Sequence, residues 1–321
     1  MSLLALLITA IVADPLSPPT TPIQATEVKV KLVLKRPGLQ SLEVVATYPK
    51  SGGPYPVIVF SHGMYGAGEL VRPVAEYWAK HGYVVLAPTH DDSLKYASAQ
   101  QIRSALQGNL DNLSSAPQRP RDINLLLDNT AELIRQAPDL KGKMDLKRVG
   151  MSGHSFGAWT TQVVAGMSLG GRQVGDPRPQ AFVVLSPSGL GGGITPSSLK
   201  SMRGPMLFVS GDNDRGRFQG EPGVYRREAF RYSAEGDRYL VWIKDAFHNF
   251  GGINATGREG QATHRRIGRG LMGPANPDHV VRLQVATLAF WDATLKQSAP
   301  ARAWLDNRTI EAAGGVTITK K

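Results

Sequence analysis

The segment Val149-Gly150-Met151-Ser152-Gly153-His154-Ser155-Phe156-Gly157-Ala158 constrains this chain more than any other. Arg148–Met151 reads as a short buried strand, and Thr160–Met167 reads as the helix that follows it. Between them lies Gly153-His154-Ser155-Phe156-Gly157, a G-x-S-x-G turn. A strand that reverses so sharply into a helix forces strained dihedrals on the residue at its apex. Flanking glycines let the two elements approach without a Cβ in the way, so the Ser155 hydroxyl stands clear of the sheet as a nucleophile must. The bare pattern recurs by chance in a chain with 35 glycines. The apolar strand before it, the small residues after it, and a suitable carboxylate and histidine downstream sharpen it.

Around this turn, strand and helix patterns alternate. Glu27–Leu34 and Leu42–Tyr48 alternate in polarity and read as paired edge strands split by a Pro37-Gly38 turn. Val57–Phe60, Val84–Ala87, Ala181–Leu185, Met206–Ser210 and Tyr239–Ile243 are short continuous apolar runs, the mark of strands buried on both faces. Helical spacing appears at Val71–Lys80, Ile123–Arg135, Val224–Tyr232 and Asp278–Leu295, with short or weak pieces at Ser98–Gln107 and Leu199–Met202. Val316–Thr319 is a last small strand. The expectation is an α/β fold, with a mostly parallel central sheet and helices on both faces.

At 321 residues, one α/β domain over 27–321 is an ordinary size, and 41% hydrophobic residues suit a globular protein. No cysteine occurs, which excludes disulfides, a thiolate nucleophile and thiolate metal sites. The net charge of +11 gathers in Arg215–Arg231 and Arg258–Arg282. It reads as a solvated basic surface, with an anionic contact as the sharper alternative. The basic residues form no single run and no nucleic-acid motif accompanies them, so a nucleic-acid partner is not expected. Met1–Ala13 is apolar, too short to span a bilayer, and resembles a secretory signal. Pro15, Pro18, Pro19 and Pro22 then mark an extended linker, so residues 1–26 stand apart and a secreted or periplasmic protein is expected.

Acyl transfer by serine needs a nucleophile, a base, an acid that orients the base, and oxyanion donors. Parallel sheets place such groups beyond the carboxyl ends of strands. His248, in the loop after Tyr239–Ile243, is the base candidate, because a free imidazole titrating at about 6.5 can take and return a proton at neutral pH. His90, beside Asp91 and Asp92, is its rival. His62 and His154 fit structural hydrogen bonding, His81 a helix end, and His264 and His279 basic surface. Asp214, after Met206–Ser210, is the acid candidate. Asp212 is the alternative, and Asp245 is read as a turn former. Phe156 and Met64 are the expected oxyanion N–H donors, Met64 from the glycine-bearing loop Ser61-His62-Gly63-Met64-Tyr65-Gly66. No metal or organic cofactor is called for.

Phe60-Ser61-His62-Gly63-Met64, Gly153-His154-Ser155-Phe156-Gly157, His248-Asn249-Phe250, Gly82-Tyr83-Val84-Val85 and Phe290-Trp291-Asp292 together resemble the α/β-hydrolase superfamily. Within it they resemble the branch of platelet-activating-factor acetylhydrolases and dienelactone-hydrolase-like proteins. The resemblance implies an α/β-hydrolase fold over about 27–321, and it implies oxyanion N–H groups at Met64 and Phe156. One departure stands out. The acetylhydrolases take their acid just after the strand that follows the elbow, where this chain has Leu185-Ser186-Pro187-Ser188-Gly189 and no carboxylate.

The function these readings imply is a serine carboxylic-ester hydrolase acting through an acyl-enzyme on short-acyl or lipid-like esters, as a monomer. Residues 91–120 and 252–277 are expected to frame the acyl and alcohol pockets. A polyester hydrolase is the second reading. An inactive α/β-hydrolase scaffold that binds an anionic partner is the reading from another class.

Overall fold

The computed structural model describes residues 14–23, 26–106, 115–216, 221–253 and 272–321. In chain order the elements are β1 (Glu27–Leu34), β2 (Leu42–Pro49), β3 (Tyr55–Ser61), α1 (Arg72–Lys80), β4 (Val84–Thr89), α2 (Ala99–Leu106), α3 (Gln118–Asp128), α4 (Thr130–Gln136) and β5 (Met144–His154). There follow α5 (Phe156–Val164), β6 (Pro179–Leu185), α6 (Pro196–Lys200), β7 (Met206–Asn213), α7 (Glu228–Tyr232), β8 (Arg238–Phe247), α8 (Pro277–Thr294), α9 (Ala299–Asp306) and β9 (Val316–Lys320).

The strands form one sheet in the order β1-β2-β4-β3-β5-β6-β7-β8-β9. Pairing is parallel from β4 through β8, while β1–β2, β2–β4 and β8–β9 are antiparallel. The central runs are apolar throughout because both faces are covered. Ile58 and Phe60 of β3 face a core with Trp78 of α1, Phe290 and Trp291 of α8 and Trp304 of α9. Val57 and Val59, one residue out of phase, face the opposite core with Leu126 of α3, Leu133 of α4 and Val163 of α5. Gly150 lets α8 lie directly on β5, since a Cβ there would come 2.7 Å from the Trp291 ring. This is the α/β-hydrolase fold.

Local expectations differ from the structure in instructive ways. β2 is not an edge strand but lies between β1 and β4. The single helix over Ile123–Arg135 is two, α3 and α4, broken at Asn129, whose Nδ2 donates to the Leu125 carbonyl at 2.8 Å and competes with the helical backbone. Val224–Tyr232 is a 3₁₀ turn, Gly223–Arg227, leading into α7. Helix α9 was not anticipated, although Ser298 caps it by accepting the Ala301 N–H and proline sits in its first turn.

Residues 14–23 are not the plain extended linker expected: the Ser17 N–H closes a turn on the Asp14 carbonyl at 2.9 Å, bends follow, and the segment does not hang free. The Ile23 N–H donates to the Lys80 carbonyl at 2.8 Å, and Thr20 hydrogen-bonds Asp292. The apolar run Met1–Ala13 lies outside the described residues. Among the described residues no helix is long and apolar enough to cross a membrane.

Asp292 ties these parts together. Its carboxylate is fully buried, accepts the Tyr83 hydroxyl at 2.6 Å and pairs with Lys296 at 2.9 Å. Replacing it leaves a buried hydroxyl without its acceptor and a half-buried ammonium without its counter-charge. Asp292→Ala is expected to cost about 2–3 kcal/mol of stability, read as a lower urea midpoint at unchanged slope; an unmoved midpoint would contradict this anchor.

Candidate active site

The loops after β3, β4, β5, β7 and β8 all leave the same carboxyl edge of the sheet, and the candidate residues sit on them. Ser155 lies between β5 and α5 with φ 57° and ψ −115°, a conformation side-chain-bearing residues rarely adopt. It is held there by its N–H on the Leu185 carbonyl (3.0 Å) and by its carbonyl accepting from the Trp159 N–H (3.1 Å). The glycines are required. A Cβ at 153 would stand 2.1 Å from the Gly157 carbonyl oxygen, and one at 157 would stand 1.9 Å from the Ser61 carbonyl oxygen. Helix α5 therefore begins at once after Ser155, four residues before Thr160.

His248 follows β8. Its Nε2 lies 2.8 Å from Ser155 Oγ and its Nδ1 lies 2.7 Å from Asp214 Oδ1. An ionised carboxylate can only accept, so Nδ1 carries the proton and Nε2 is free to accept the Ser155 hydroxyl proton. Although it follows the strand, His248 is buried, at 6% exposed. Its backbone is fixed by His154, whose Nε2 donates to the His248 carbonyl at 2.6 Å, and the two rings lie 4.7 Å apart.

Asp214 is fully buried after β7 and accepts from the hydroxyls of Ser186 (2.6 Å) and Ser210 (2.7 Å) on its second oxygen. Burial alone raises a carboxyl pKa. Here the Arg226 guanidinium, 3.4 Å away, together with His248 and Ser186, overcomes this and holds Asp214 well below the usual carboxylate range. Asp212 is turned elsewhere, accepting from the Trp242 indole at 2.7 Å and the Asp245 N–H at 2.8 Å. Asp245 is not in a turn: it lies within β8, where its φ of 58° interrupts the extended backbone.

The other histidines fall into separate environments. His90 bonds Ser61 Oγ (2.9 Å) and Asp122 (2.8 Å) and makes no bond to Ser155. His62 Nε2 accepts the His90 N–H at 2.9 Å. His81 caps α1 through the Tyr77 carbonyl, and His279 pairs with Asn276 at the start of α8. His264 lies outside the described residues, as do 107–114 and 254–271 of the segments expected to frame the pockets. Met64, in the loop after β3, and Phe156, at the start of α5, are both half-buried. The Gly63 side of the loop touches the elbow, since a Cβ on Gly63 would lie 3.5 Å from Ser155 Cβ. Phe156 and Trp159 pair with ring centroids 5.5 Å apart and form a half-exposed aromatic shelf beside Ser155. Among the described residues no group of three His, Asp or Glu side chains could hold a metal ion.

Sequence reasoning missed the partners of Asp214. Ser186 stands where the acetylhydrolases were expected to carry their acid, and its hydroxyl reaches the same carboxylate from that position. Arg226 was counted among a solvated basic stretch, yet it is buried and donates to the carbonyls of Asp214 (3.3 Å) and Pro187 (3.0 Å).

A family model described as Chlorophyllase matches residues 20–173, which takes in the loop after β3 and the elbow but stops before Asp214 and His248. Platelet-activating factor acetylhydrolase of Cavia porcellus is 25% identical over 228 residues, 62% of this chain and 49% of that protein. The same-named protein of Canis lupus familiaris is 24% identical over 238 residues, 64% of this chain and 50% of that one. The chain thus spans about half the length of the curated relatives it matches. The sheet order is that of an α/β-hydrolase fold, and within it the chain is similar to platelet-activating factor acetylhydrolases.

Three buried histidines give the fold a definite pH response. Burial lowers His62, His90 and His154, with Arg119 adding to the effect at His62 and His90 and His248 adding to it at His154, which falls to about 3. Unfolding frees each to take a proton below about pH 6.5, so the unfolded state binds more protons there. Their stabilising effect is complete above about 6.5 and is lost as pH falls toward the folded values. The urea midpoint should drop steadily from pH 7 to 5, as stability falls by at most about 1.4 kcal/mol per pH unit for each histidine; a midpoint that is flat or rises toward acid would contradict this.

Proposed function

We propose that this protein is a serine carboxylic-ester hydrolase that works through an acyl-enzyme, with Ser155 as nucleophile, His248 as general base and acid, and Asp214 as the carboxylate that orients it. The observation that carries the reading is the unbroken path from Asp214 through His248 to a Ser155 held on a strained elbow. Ser155 Oγ attacks the ester carbonyl carbon as its proton passes to His248 Nε2. The N–H groups of Met64 and Phe156 receive the oxyanion, and the tetrahedral species collapses as Nε2–H protonates the departing alkoxide. Water then repeats the sequence on the acyl-enzyme, with His248 again taking the proton. Asp214 already accepts two hydroxyls beside Arg226 and stays ionised, so it steadies the imidazolium without taking the proton itself.

The Phe156–Trp159 shelf supports an ester whose acyl or alkyl part is apolar, which agrees with short-acyl or lipid-like substrates. The names of the similar protein and of the matching family model, an acetylhydrolase and a chlorophyllase, are consistent with ester cleavage as the reaction class. The run Met1–Ala13 keeps a secreted or periplasmic setting as part of the same proposal.

The test is Ser155→Ala on p-nitrophenyl acetate and butyrate. Turnover should fall by at least about 10³-fold, with an unchanged urea midpoint. A variant that retains wild-type turnover would remove Ser155 from the chemistry.

A further inference from the structure

A second buried network lies behind the loop after β3, and it has the same residue types as the site in front. Ser61 Oγ bonds His90 Nε2 at 2.9 Å, and His90 Nδ1 bonds Asp122 Oδ2 at 2.8 Å. All three side chains are fully buried, so this is not a second nucleophile. Its proton directions are fixed. Asp122 accepts from Arg36 and Gln118, each at 2.9 Å on Oδ1, so His90 Nδ1 must donate to it and His90 Nε2 must accept from Ser61.

Arg119, also fully buried, connects this network to the elbow. Its guanidinium holds Asp92 through two bonds, at 3.0 and 2.8 Å. It donates to Ser61 Oγ at 3.2 Å, to the His62 carbonyl at 2.8 Å and to the Gly63 carbonyl at 3.4 Å. Its Cζ lies 4.3 Å from the centre of the Phe156 ring. Asp92 in turn accepts the Tyr65 N–H at 3.3 Å.

These contacts bracket Met64. Since His62 Nε2 accepts from the His90 N–H, its Nδ1 carries the proton and donates to the Gly63 carbonyl at 2.7 Å. That carbonyl also accepts the Gly66 N–H at 3.0 Å. The Gly63–Met64 peptide is planar and trans, so the Met64 N–H must point opposite to a carbonyl held by three donors. On the far side Asp92 holds Tyr65. We infer that Arg119 is the positioning residue of the oxyanion hole, locking the Gly63–Met64 peptide through the loop carbonyls and Asp92, and the start of α5 through the Phe156 ring.

This inference rests on the ester-hydrolase reading and deepens it. Arg119 touches no substrate, so its loss should be felt in the transition state and not in ester binding. The test compares the wild type with Arg119→Lys and Asp92→Asn, the second of which leaves Arg119 in place. The expected result is a fall in kcat of about 10–100-fold, short of the roughly 10²–10³ that follows outright loss of a donor, with KM for p-nitrophenyl butyrate within about threefold. Affinity for a boronic acid, which forms a tetrahedral anion on a serine, should fall in the same proportion. Should Arg119→Lys fold poorly, Asp92→Asn carries the test at a temperature where circular dichroism shows it folded. An active wild type with kcat unchanged in both folded variants, or with the loss confined to KM, overturns this inference alone. A wild type that cleaves no ester removes both it and the reading beneath it.

Discussion

The site depends on one close approach, that of the Gly157 α-carbon to the Ser61 carbonyl. Any Cβ at 157 would sit 1.9 Å from that oxygen, so the elbow and the loop after β3 can meet only with glycine there. This contact sets the spacing between Ser155 and the loop that carries Met64. The strain stored at Ser155 is sustained by the parallel strands on either side, because its N–H is held by the Leu185 carbonyl of β6. Packing of α5 and α8 on opposite faces of β5 keeps that strand from yielding. Gly150, under Trp291, is the matching close approach on the other face.

Two chains of hydrogen bonds with fixed direction meet at this contact. In front, Asp214 dictates the His248 tautomer and leaves Nε2 facing Ser155. Behind, Asp122 dictates the tautomer of His90 and the His90 N–H that of His62, while Arg119 holds the loop carbonyls. Both chains end on a buried carboxylate whose charge is balanced by a buried arginine, Arg226 for Asp214 and Arg36 for Asp122. Such pairs contribute little net stability against an apolar core, but an unpaired member is costly, which makes the arrangement close to all-or-none. His154 links the two. It is kept neutral by burial, it supports the His248 carbonyl, and its Nδ1 lies against Gly63.

Much of the framework was legible in the chain, because strands covered on both faces must be continuous apolar runs, and those runs are short and separated by turn residues. The elbow was legible because its glycines have no other purpose. The acid was harder to place. Asp212 and Asp214 lie in one turn, and a register shift between Gly211 and Asn213 at the end of β7 sends Asp212 toward Trp242 and Asp214 toward His248. No local pattern announces that shift. His90 looked a rival to His248 because both follow strands next to acidic residues. Only the packing of α3, which brings Arg119 and Asp122 beneath the loop, separates their roles, and contacts between distant segments leave no periodic trace. Arg226 was misread for the same reason, since its neighbours in sequence face solvent while it turns inward beneath Asp214.

In the proposed mechanism Asp214, His248 and Ser155 act as one unit that makes a nucleophile of a single hydroxyl. The most direct measurement is the rate and position of covalent labelling by a fluorophosphonate, mapped by mass spectrometry in the wild type and in His248→Gln. One adduct on Ser155, forming at least about 100-fold more slowly in the variant, is the predicted result. No adduct on Ser155, or one that forms equally fast without the imidazole, would contradict it.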